Sequence, residues 1–450
     1  MTRYALAMGV AAGCIGLGWT GGGVCRAAAP EEAVMVEVEE DVYSYVSPNN
    51  GSGPLWSYGC TSIARVGEDV VVSQMETGEG VPPLCNTRWR LLRRTHAGWA
   101  TLAEAEGYRQ REPTSLGVAS DGSLFLYVND STEPPGTKYG PCLPHLLRFS
   151  LDAPPNSPGE QIMPEWAGET YFTDHSYRGY AADSGRDELL MLNINAKTSA
   201  QHWCLLSRDG DTVGNGVVSF PIRACYPQVA LRNRAGYVMA VGDIVEPVEE
   251  WRTYKFEQTQ QKWDYVFRIL YFTWSPDLTA QGFGEPIEIA NLDATAGHIT
   301  NQDMWIGPAG EAWVLYSEQE VQNALMRDKF FPDGSLDPIL YLAVIRNGAV
   351  AARRILVPPE RHPGCARFHE TPDGRVFALA YLGAPEPHNA LIQVFPEPER
   401  AEPLRVPFKT PFGSFCLAGV RAGNAPSNTI DVLGHSTSGG TLSYGRIRIK

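Results

Sequence analysis

Short apolar segments alternate with polar turns along most of the chain, in an arrangement that recurs seven times. Each copy has a polar opening, an apolar segment, a turn rich in Asp, Gly, Asn or Ala, and a second apolar segment. The strand-like segments and the turn residues predict that each copy is a β-hairpin. The copies begin, roughly 50 to 75 residues apart, at Cys60, Pro113, Tyr177, Tyr226, Asn301, Ala366 and Cys416.

Further strand-like segments such as "QHWCLLS" and "RILYFTW" follow the hairpins. A hairpin with two more strands makes one four-stranded propeller blade, and closing a ring of blades protects the strand edges. The sequence therefore predicts an all-β, seven-bladed β-propeller that occupies residues 30–450 as a single domain. A pair of β-sandwiches would explain the strands but not their recurrence. Helical spacing in 246–265 and 318–331 predicts short helical insertions.

Residues 1–29 have the features of an export signal. Arg3 precedes an apolar run that ends at Trp19, and small residues close the segment at Ala29. Because this run is too short to cross a bilayer, we expect cleavage near Ala29 and no insertion in a membrane. The protein is thus predicted to be secreted or periplasmic. Lipid attachment at Cys14 is an alternative that its spacing from the N-terminus disfavours.

The charge of the chain limits its partners. Lys and Arg number 37 against 51 Asp and Glu, which gives a formal net charge of -14. This acidic balance argues against nucleic acids and anionic membrane surfaces as partners. It does not exclude a local basic pocket for an anionic substrate, and the oligomeric state is left open.

Cysteine usage indicates disulfides more than metal binding. An exported protein is expected to form some disulfides, although an odd number of cysteines leaves at least one thiol unpaired. The sequence contains neither a C-x-x-C pair nor the His and Cys spacing of a zinc site. We therefore expect neither a metal nor a cofactor. The cysteines that follow the signal are Cys60, Cys85, Cys142, Cys204, Cys225, Cys365 and Cys416.

The openings of the seven copies carry the candidate chemistry. In a propeller the first strand of each blade lines the central channel, so the strand starts converge on one mouth while the hairpin turns lie on the opposite face. The openings are polar, whereas apolar strand starts would need none of these groups. The candidates are Arg111, Glu112, His175, Tyr177, Arg178, Arg223, Tyr226, His298, Asn301, Gln302 and Arg367.

Each of these residues also has a structural interpretation. A single histidine at a strand start is more often a hydrogen-bonded structural residue than a catalyst. Tyr226 precedes Pro227 and can simply pack in the channel, and Arg178 can pair with Asp174. The functional interpretation rests on the convergence of His, Tyr and Arg residues at one mouth.

The short strand-turn-strand units and the export signal resemble the sialidase-type repeat propellers of secreted bacterial proteins, a broad group that includes the seven-bladed ulvan lyases. Sialidases carry aspartate boxes of the form Ser-x-Asp-x-Gly-x-Thr-Trp, and only "SRDGDTV" at 207–213 approaches that form, without the Trp. Arginines for a carboxylate-binding triad are present, but a Tyr and Glu nucleophile pair is not established. The resemblance therefore favours a lyase over a sialidase.

Propeller lyases of uronic-acid polysaccharides use His and Tyr for proton transfer and Arg to neutralise the carboxylate. This resemblance implies that Arg178 or Arg223 binds the carboxylate, that His175 and Tyr226 transfer protons beside Tyr177, and that His298 is a reserve. One departure is that Asn129-Asp130 stands where a second-strand histidine is expected.

Three functions remain open on the sequence alone. The first is a lyase of an acidic poly- or oligosaccharide. The second is a glycoside hydrolase, which needs two carboxylates about 5 to 10 Å apart, for which Glu112, Asp174 and Asp303 are the candidates. The third is a non-catalytic propeller that binds glycans or proteins.

Overall fold

A computed structural model describes residues 33–56, 60–82, 84–134, 137, 140–174, 177–397, 403–435 and 440–450. The described chain forms seven four-stranded antiparallel sheets arranged in a ring. The predicted seven-bladed β-propeller is therefore confirmed. The predicted export signal at 1–29 lies outside the described residues. No helix among the described residues has the length and apolar character needed to span a membrane.

The strands of the first six blades follow one another from the channel outwards. Blades 1 to 3 contain β2 (Ile63–Val66), β3 (Asp69–Thr77), β4 (Thr87–Thr95) and β5 (Gly98–Glu104); β6 (Ser115–Val118), β7 (Leu124–Ser131), β8 (Cys142–Phe149) and β9 (Glu160–Ile162); and β10 (Arg178–Asp183), β11 (Glu188–Ile194), β12 (Gln201–Ser207) and β13 (Thr212–Val218). Blades 4 to 6 contain β14 (Ala224–Arg232), β15 (Ala235–Gly242), β18 (Ile269–Ser275) and β19 (Ile287–Asn291); β20 (His298–Ile306), β21 (Ala312–Gln319), β22 (Ile339–Arg346) and β23 (Ala349–Val357); and β24 (Pro363–Glu370), β25 (Val376–Leu382), β26 (His388–Phe395) and β27 (Leu404–Val406).

Strands from both ends of the described chain close the ring. Blade 7 contains β28 (Ser414–Leu417), β29 (Thr429–His435) and β30 (Thr441–Ile449), and its outer strand is β1 (Val34–Ser44). The strand β1 runs antiparallel to β30, from Val34 opposite Ile449 to Ser44 opposite Thr441. This pairing completes the four strands of blade 7 and joins both ends of the described chain in one sheet. Apolar side chains of adjacent blades pack together to form the core.

The inner hairpins turn where the sequence places Gly or Asn. Gly122, Gly310 and Gly374 have φ values of 84°, 81° and 82°, in the left-handed region that glycine adopts without steric cost. Asn233 and Arg234 have φ values of 51° and 68° between β14 and β15, as a two-residue hairpin turn requires. The turns and the strand starts therefore lie at opposite ends of the inner strands, as predicted.

A loop of blade 7 crosses the channel on the side of the hairpin turns. Ala422 accepts a hydrogen bond from the Val118 amide at 2.9 Å, and the Arg421 carbonyl accepts one from the Ala182 amide at 3.0 Å. The Arg421 guanidinium donates to Asp303 at 2.8 Å. These contacts tie blades 2, 3 and 5 to blade 7 across the channel.

The two predicted helical insertions are present. Between β15 and β18 lie β16 (Ile244–Val245), α1 (Glu249–Thr259) and β17 (Tyr265–Val266), and α2 (Ala324–Phe330) lies between β21 and β22. Short 3-10 helices occupy Asp293–Thr295 and Pro359–Arg361. Trp251 of α1 contacts Phe331 at a ring-centroid distance of 5.5 Å. The insertion aromatics therefore pack the two helices against each other.

A buried ionic network holds the first insertion on blade 4. Glu246 is completely buried and accepts hydrogen bonds from Lys255 at 2.8 Å and Arg268 at 2.9 Å. Lys255 also contacts Asp264. Burial alone would raise the pKa of Glu246, but the bonds from Arg268 and Lys255 lower it below the ordinary value. The insertion is therefore a rigid part of the blade.

Replacing Glu246 by alanine is expected to lower the free energy of unfolding by about 3–5 kcal/mol, because two buried cations lose their partner. Chemical denaturation monitored by circular dichroism measures this change. The matched control is Glu397→Ala, since the pair of Glu397 with Arg354 is largely exposed and is worth at most about 1 kcal/mol. Equal losses in the two variants would contradict the structural role assigned to Glu246.

His369 is expected to make stability depend on pH. Burial lowers its pKa to about 4, although a hydrogen bond to the Ser427 carbonyl and the nearby Asp431 act in the opposite direction. Between the ordinary pKa of 6.5 and about 4 the unfolded chain therefore binds a proton that the folded chain does not. Stability should fall by about 3 kcal/mol as the pH falls through this window. Denaturation of His369→Gln, compared at pH values near both ends of the window, should show a loss smaller by that amount; an unchanged loss would contradict this origin.

The expected disulfides are not observed. All seven cysteines that follow the signal are free thiols. Two of these thiols contact backbone carbonyls. The Cys60 thiol contacts the Arg178 carbonyl, and the Cys365 thiol contacts the Phe415 carbonyl. Cys85 and Cys142 are neighbours, and the hydrogen bond between their thiols lowers the pKa of Cys85 and raises that of Cys142.

Candidate active site

A pocket opens on the face of the propeller where the inner strands begin. It encloses about 640 Å³ including its open mouth, within the range of ligand sites. The openings of blades 2 to 4, the insertion and the segment before blade 1 supply its walls. The lining residues are Gly51, Trp56, Arg111, Tyr177, Arg223, Tyr226, Asp243, Tyr265 and Phe267. Four of these, two arginines and two tyrosines, are predicted site residues.

Tyr226 has an unusual backbone conformation. The register of β14 against β15 shifts between Cys225 and Gln228, and Tyr226 within this bulge has a φ of 52°. A non-glycine residue in this region costs on the order of 1–3 kcal/mol. The Asn301 side-chain amide donates to the Tyr226 carbonyl at 2.6 Å and so helps to hold the bulge. Bulges commonly redirect side chains beside active sites.

Aromatic contacts fix the ring of Tyr226. Its centroid lies 4.5 Å from that of Tyr177 and 5.8 Å from those of Trp56 and Phe267. The Tyr177 hydroxyl is also in hydrogen-bond contact with Tyr226. Burial raises the pKa of Tyr177 well above its usual range, so this hydroxyl stays protonated at neutral pH. Tyr177 is thus a hydrogen-bond donor beside the more exposed Tyr226.

Arg223 brings a positive charge to the same wall. Its guanidinium lies 5.5 Å from the Tyr177 ring centroid and 5.7 Å from that of Tyr265. One of its terminal nitrogens is 3.3 Å from a carboxylate oxygen of Asp243, which is 2% exposed. The Arg223 side chain is 27% exposed. A planar cation held by a buried carboxylate and two rings is preorganised to bind an anion.

Arg111 provides a second cation in the pocket. It donates to the Asn50 carbonyl at 3.1 Å and contacts Asp174 at 3.3 Å. Asp174 is 2% exposed, so this pair resembles the pairing of Arg223 with Asp243. The alternative pairing of Asp174 with Arg178 does not occur among the described ion pairs, in which Asp174 contacts Arg111 and Arg178 contacts Glu112.

Arg178 and Glu112 lie together away from the pocket surface. The Arg178 guanidinium donates to the Pro113 carbonyl at 2.6 Å and the Tyr127 carbonyl at 3.3 Å, and it lies 3.8 Å from Glu112. Their side chains are 2% and 5% exposed. These contacts tie the start of blade 3 to blade 2, so of the two arginines proposed for the carboxylate Arg223 is the accessible one.

Three further predicted residues lie deeper in the channel. Asn301 supports Tyr226 as described above. Gln302 donates to Ser317 at 2.9 Å and accepts hydrogen bonds from the Ala366 amide and from Arg367. Arg367 also donates to the Gln302 carbonyl at 2.7 Å. The structure therefore places Gln302 and Arg367 in bonds between blades 5 and 6.

Of the two predicted histidines, His298 is among the described residues and His175 is not. His298 does not line the pocket, but its ring centroid lies 5.7 Å from that of Phe267, which does. Burial lowers the pKa of His298, so its imidazole is neutral at neutral pH. His175 lies outside the described residues, and its role stays a prediction.

The described residues bring one carboxylate to the pocket wall and assemble no metal-binding group. Of the carboxylates proposed for hydrolysis, Asp174 and Glu112 contact arginines, and Asp303 lies in the channel with Arg421. Asp243 is the carboxylate found among the described pocket-lining residues. The described chain contains no group of three or more His, Cys, Asp or Glu side chains that could hold a metal ion.

The chain shares the fold of polysaccharide lyases. A polysaccharide lyase named Uly1 superposes over 93% of this chain and 99% of its own, with a TM-score of 0.53 and 8% identity. An ulvan lyase of polysaccharide lyase family PL25 superposes over 90% of this chain and 93% of its own, with a TM-score of 0.56 and 9% identity. The same type of lyase bound to -[GlcA(1-4)Rha3S]- gives a TM-score of 0.54 at 8% identity, over the same shares.

These similarities show the fold. No protein-family profile and no curated protein sequence matches the chain. The resemblance to the sialidase-type repeat group therefore stays a prediction, while the similarity to seven-bladed lyases extends over nearly the whole described propeller.

Besides Gly51, four pocket-lining residues were missed from the sequence. Trp56 precedes the first repeat, Asp243 follows β15, and Tyr265 and Phe267 flank the end of the insertion. For Tyr265 and Phe267 the signal was the insertion itself, which follows the second strand of blade 4 and therefore leaves that blade on the mouth face. Asp243 follows a glycine at the end of a buried strand, a position that also faces the mouth.

Proposed function

We propose that the protein is an exported carbohydrate-active enzyme that cleaves an acidic, uronate-containing polysaccharide by β-elimination. One observation carries this proposal: on one pocket wall, Arg223 lies against the Tyr177 ring, and Tyr177 lies against Tyr226. Arg111 adds a second cation across the same pocket. The shared fold with polysaccharide lyases, one of them bound to a glucuronate-containing oligosaccharide, supports the reaction class.

The reaction needs three functional groups. A base removes the proton from C5 of the uronate, an acid protonates the O4 leaving group, and a cation stabilises the charge on the carboxylate. The C5–H and C4–O4 bonds break while a C4=C5 double bond forms, so the reaction consumes no water. The two chain fragments carry away all the atoms of the substrate.

The pocket residues fit these roles. Arg223 binds the carboxylate, where its planar fork of donors matches two oxygens. Tyr226 transfers a proton at the sugar ring, and Tyr177 donates a hydrogen bond to it. His175, next to Asp174 in the sequence, is the proposed partner in proton transfer. His298 stays a reserve because it does not line the pocket, although its ring contacts Phe267, which does.

A two-carboxylate hydrolase mechanism has less support. It requires an acid and a second carboxylate facing each other across the sugar. Among the described residues that line the pocket, Asp243 is the carboxylate, and it contacts Arg223. The geometry therefore favours proton transfer by tyrosine over hydrolysis by paired acids.

Incubation with a panel of uronate polysaccharides in water enriched in oxygen-18 tests the reaction class. An eliminase releases fragments with ultraviolet-absorbing unsaturated uronates, and these fragments contain no heavy oxygen when they are analysed before the new reducing ends exchange their anomeric oxygen with water. Fragments that carry heavy oxygen and lack the absorbance would contradict elimination. Complete absence of fragments from polygalacturonate, alginate and ulvan would contradict the enzymatic role on those substrates.

A further inference from the structure

We infer that Trp263, Tyr265 and Phe267 form a continuous aromatic surface that binds sugar rings of the polysaccharide beyond the unit in the pocket. This inference rests on the proposed function for the class of ligand. It rests on the structure of the insertion for its location. Tyr265 and Phe267 line the pocket, and Trp263 is 75% exposed on the segment that leaves it.

The backbone places the three side chains on one side of the segment. β17 pairs with β16 so that Val245 lies opposite Tyr265, and the Glu246 amide donates to the Asp264 carbonyl at 2.8 Å. The pairing therefore continues one residue beyond the strand. In extended chain, alternate residues point the same way. Residues 263, 265 and 267 thus face one direction.

The intervening residues confirm this alternation. Val266 is 3% exposed, and Asp264 contacts Lys255 of the buried ionic network. These two side chains point into the insertion while the aromatic side chains point away. Alternate residues are about 6.5–7 Å apart along a strand, so the aromatic surface spans about 13 Å. That length accommodates more than one sugar ring.

The surface is held in place before any ligand binds. The Glu246, Lys255 and Arg268 network fixes the base of the insertion, and Arg223 lies 5.7 Å from the Tyr265 ring centroid. Preorganised aromatic rings bind a ligand without a large loss of side-chain entropy. The cation beside Tyr265 further suits a chain that carries uronate groups.

A polysaccharide is the occupant that the position favours. The aromatic surface is continuous with the pocket. Arg223 gives its pocket end a positive charge, and the exposed Trp263 indole forms its outer end. Flat aromatic faces suit the C–H faces of sugar rings. A polysaccharide bound in the pocket extends beyond it, and these residues offer its further units an aromatic wall. A second copy of the protein is the competing occupant.

Affinity electrophoresis in gels that contain polygalacturonate, alginate or ulvan tests the inference. For the polymer that retards the unmodified protein, Trp263→Ala is expected to raise the dissociation constant roughly five- to tenfold. Trp263→Phe should recover most of the lost affinity. Phe256→Ala is the matched control, because Phe256 is 40% exposed on α1 of the same insertion. It should bind like the unmodified protein.

Parallel measurement of unsaturated products separates this inference from the proposed reaction. Weaker binding by Trp263→Ala without any product from the unmodified protein would support the surface and contradict the lyase. Product formation with an unchanged KM in Trp263→Ala would contradict the surface and leave the lyase standing. Lack of retardation by all three polymers, or a changed oligomeric state of Trp263→Ala in size-exclusion chromatography, would also overturn the inference.

Discussion

Replacing Tyr226 by phenylalanine is expected to lower the rate of polysaccharide cleavage by about 100- to 10,000-fold without disturbing the fold. The substitution removes one hydroxyl and keeps the ring that contacts Trp56, Tyr177 and Phe267. Binding of the substrate should change little, because the loss falls on the proton-transfer step. The effect should therefore appear in kcat and not in KM.

The control for this substitution is Tyr341→Phe. Tyr341 stacks on Tyr316 in blade 5, with ring centroids 5.6 Å apart, and lines no part of the pocket. Both variants should unfold at the same temperature as the unmodified protein to within a few degrees. A Tyr226→Phe variant that keeps the rate of the unmodified protein would remove Tyr226 from the mechanism.

Replacing Arg223 by lysine is expected to lower kcat/KM by about 100-fold. Lysine keeps a positive charge next to the buried Asp243, so the protein should not suffer the loss that an unpaired carboxylate causes. It lacks the planar fork that binds both oxygens of a carboxylate. The fall in kcat/KM should therefore reflect weaker binding of the transition state and not a loss of protein stability.

Two measurements separate catalysis from folding in this case. Arg405→Lys is the matched control, since Arg405 is 62% exposed and contacts only the exposed Glu386 among the ion pairs described. It should keep full activity. A substrate in which the uronate is methyl-esterified carries no carboxylate charge, so Arg223→Lys and the unmodified protein should cleave it at similar rates. A loss of the same size on acidic and esterified substrates would contradict the role in carboxylate binding.

The repeat made the propeller predictable from sequence. Because the seven copies set the phase of every blade, the residues before each copy could be assigned to one mouth. Tyr177, Arg223 and Tyr226 were found in this way, and the structure places all three in one pocket. The closure of blade 7 by β1 was not predicted, since its pairing with β30 joins residues from opposite ends of the described chain.

The choice between neighbouring arginines depended on tertiary contacts. Arg178 follows Tyr177 directly, yet its guanidinium donates to the carbonyls of Pro113 and Tyr127 in blade 2. Sequence position alone could not distinguish this buried residue from Arg223. Trp56 was missed for a related reason, because its contact with Tyr226 joins segments 170 residues apart (226 minus 56).

The Tyr226 bulge illustrates what local sequence hides. A residue that precedes proline, as Tyr226 precedes Pro227, usually adopts extended backbone, because proline disfavours the helical region there. The structure instead gives Tyr226 a φ of 52° within a register shift. Asn301, itself a predicted site residue, stabilises this conformation through the Tyr226 carbonyl.

A crystal structure of the Tyr226→Phe variant with a bound uronate oligosaccharide tests the central claim most directly. We expect a uronate carboxylate within hydrogen-bond distance of the Arg223 guanidinium, with the C5 and O4 atoms of the same sugar next to residue 226. A sugar bound at the opposite mouth or on the outer surface, with the pocket of Arg111, Tyr177 and Arg223 empty, would contradict it.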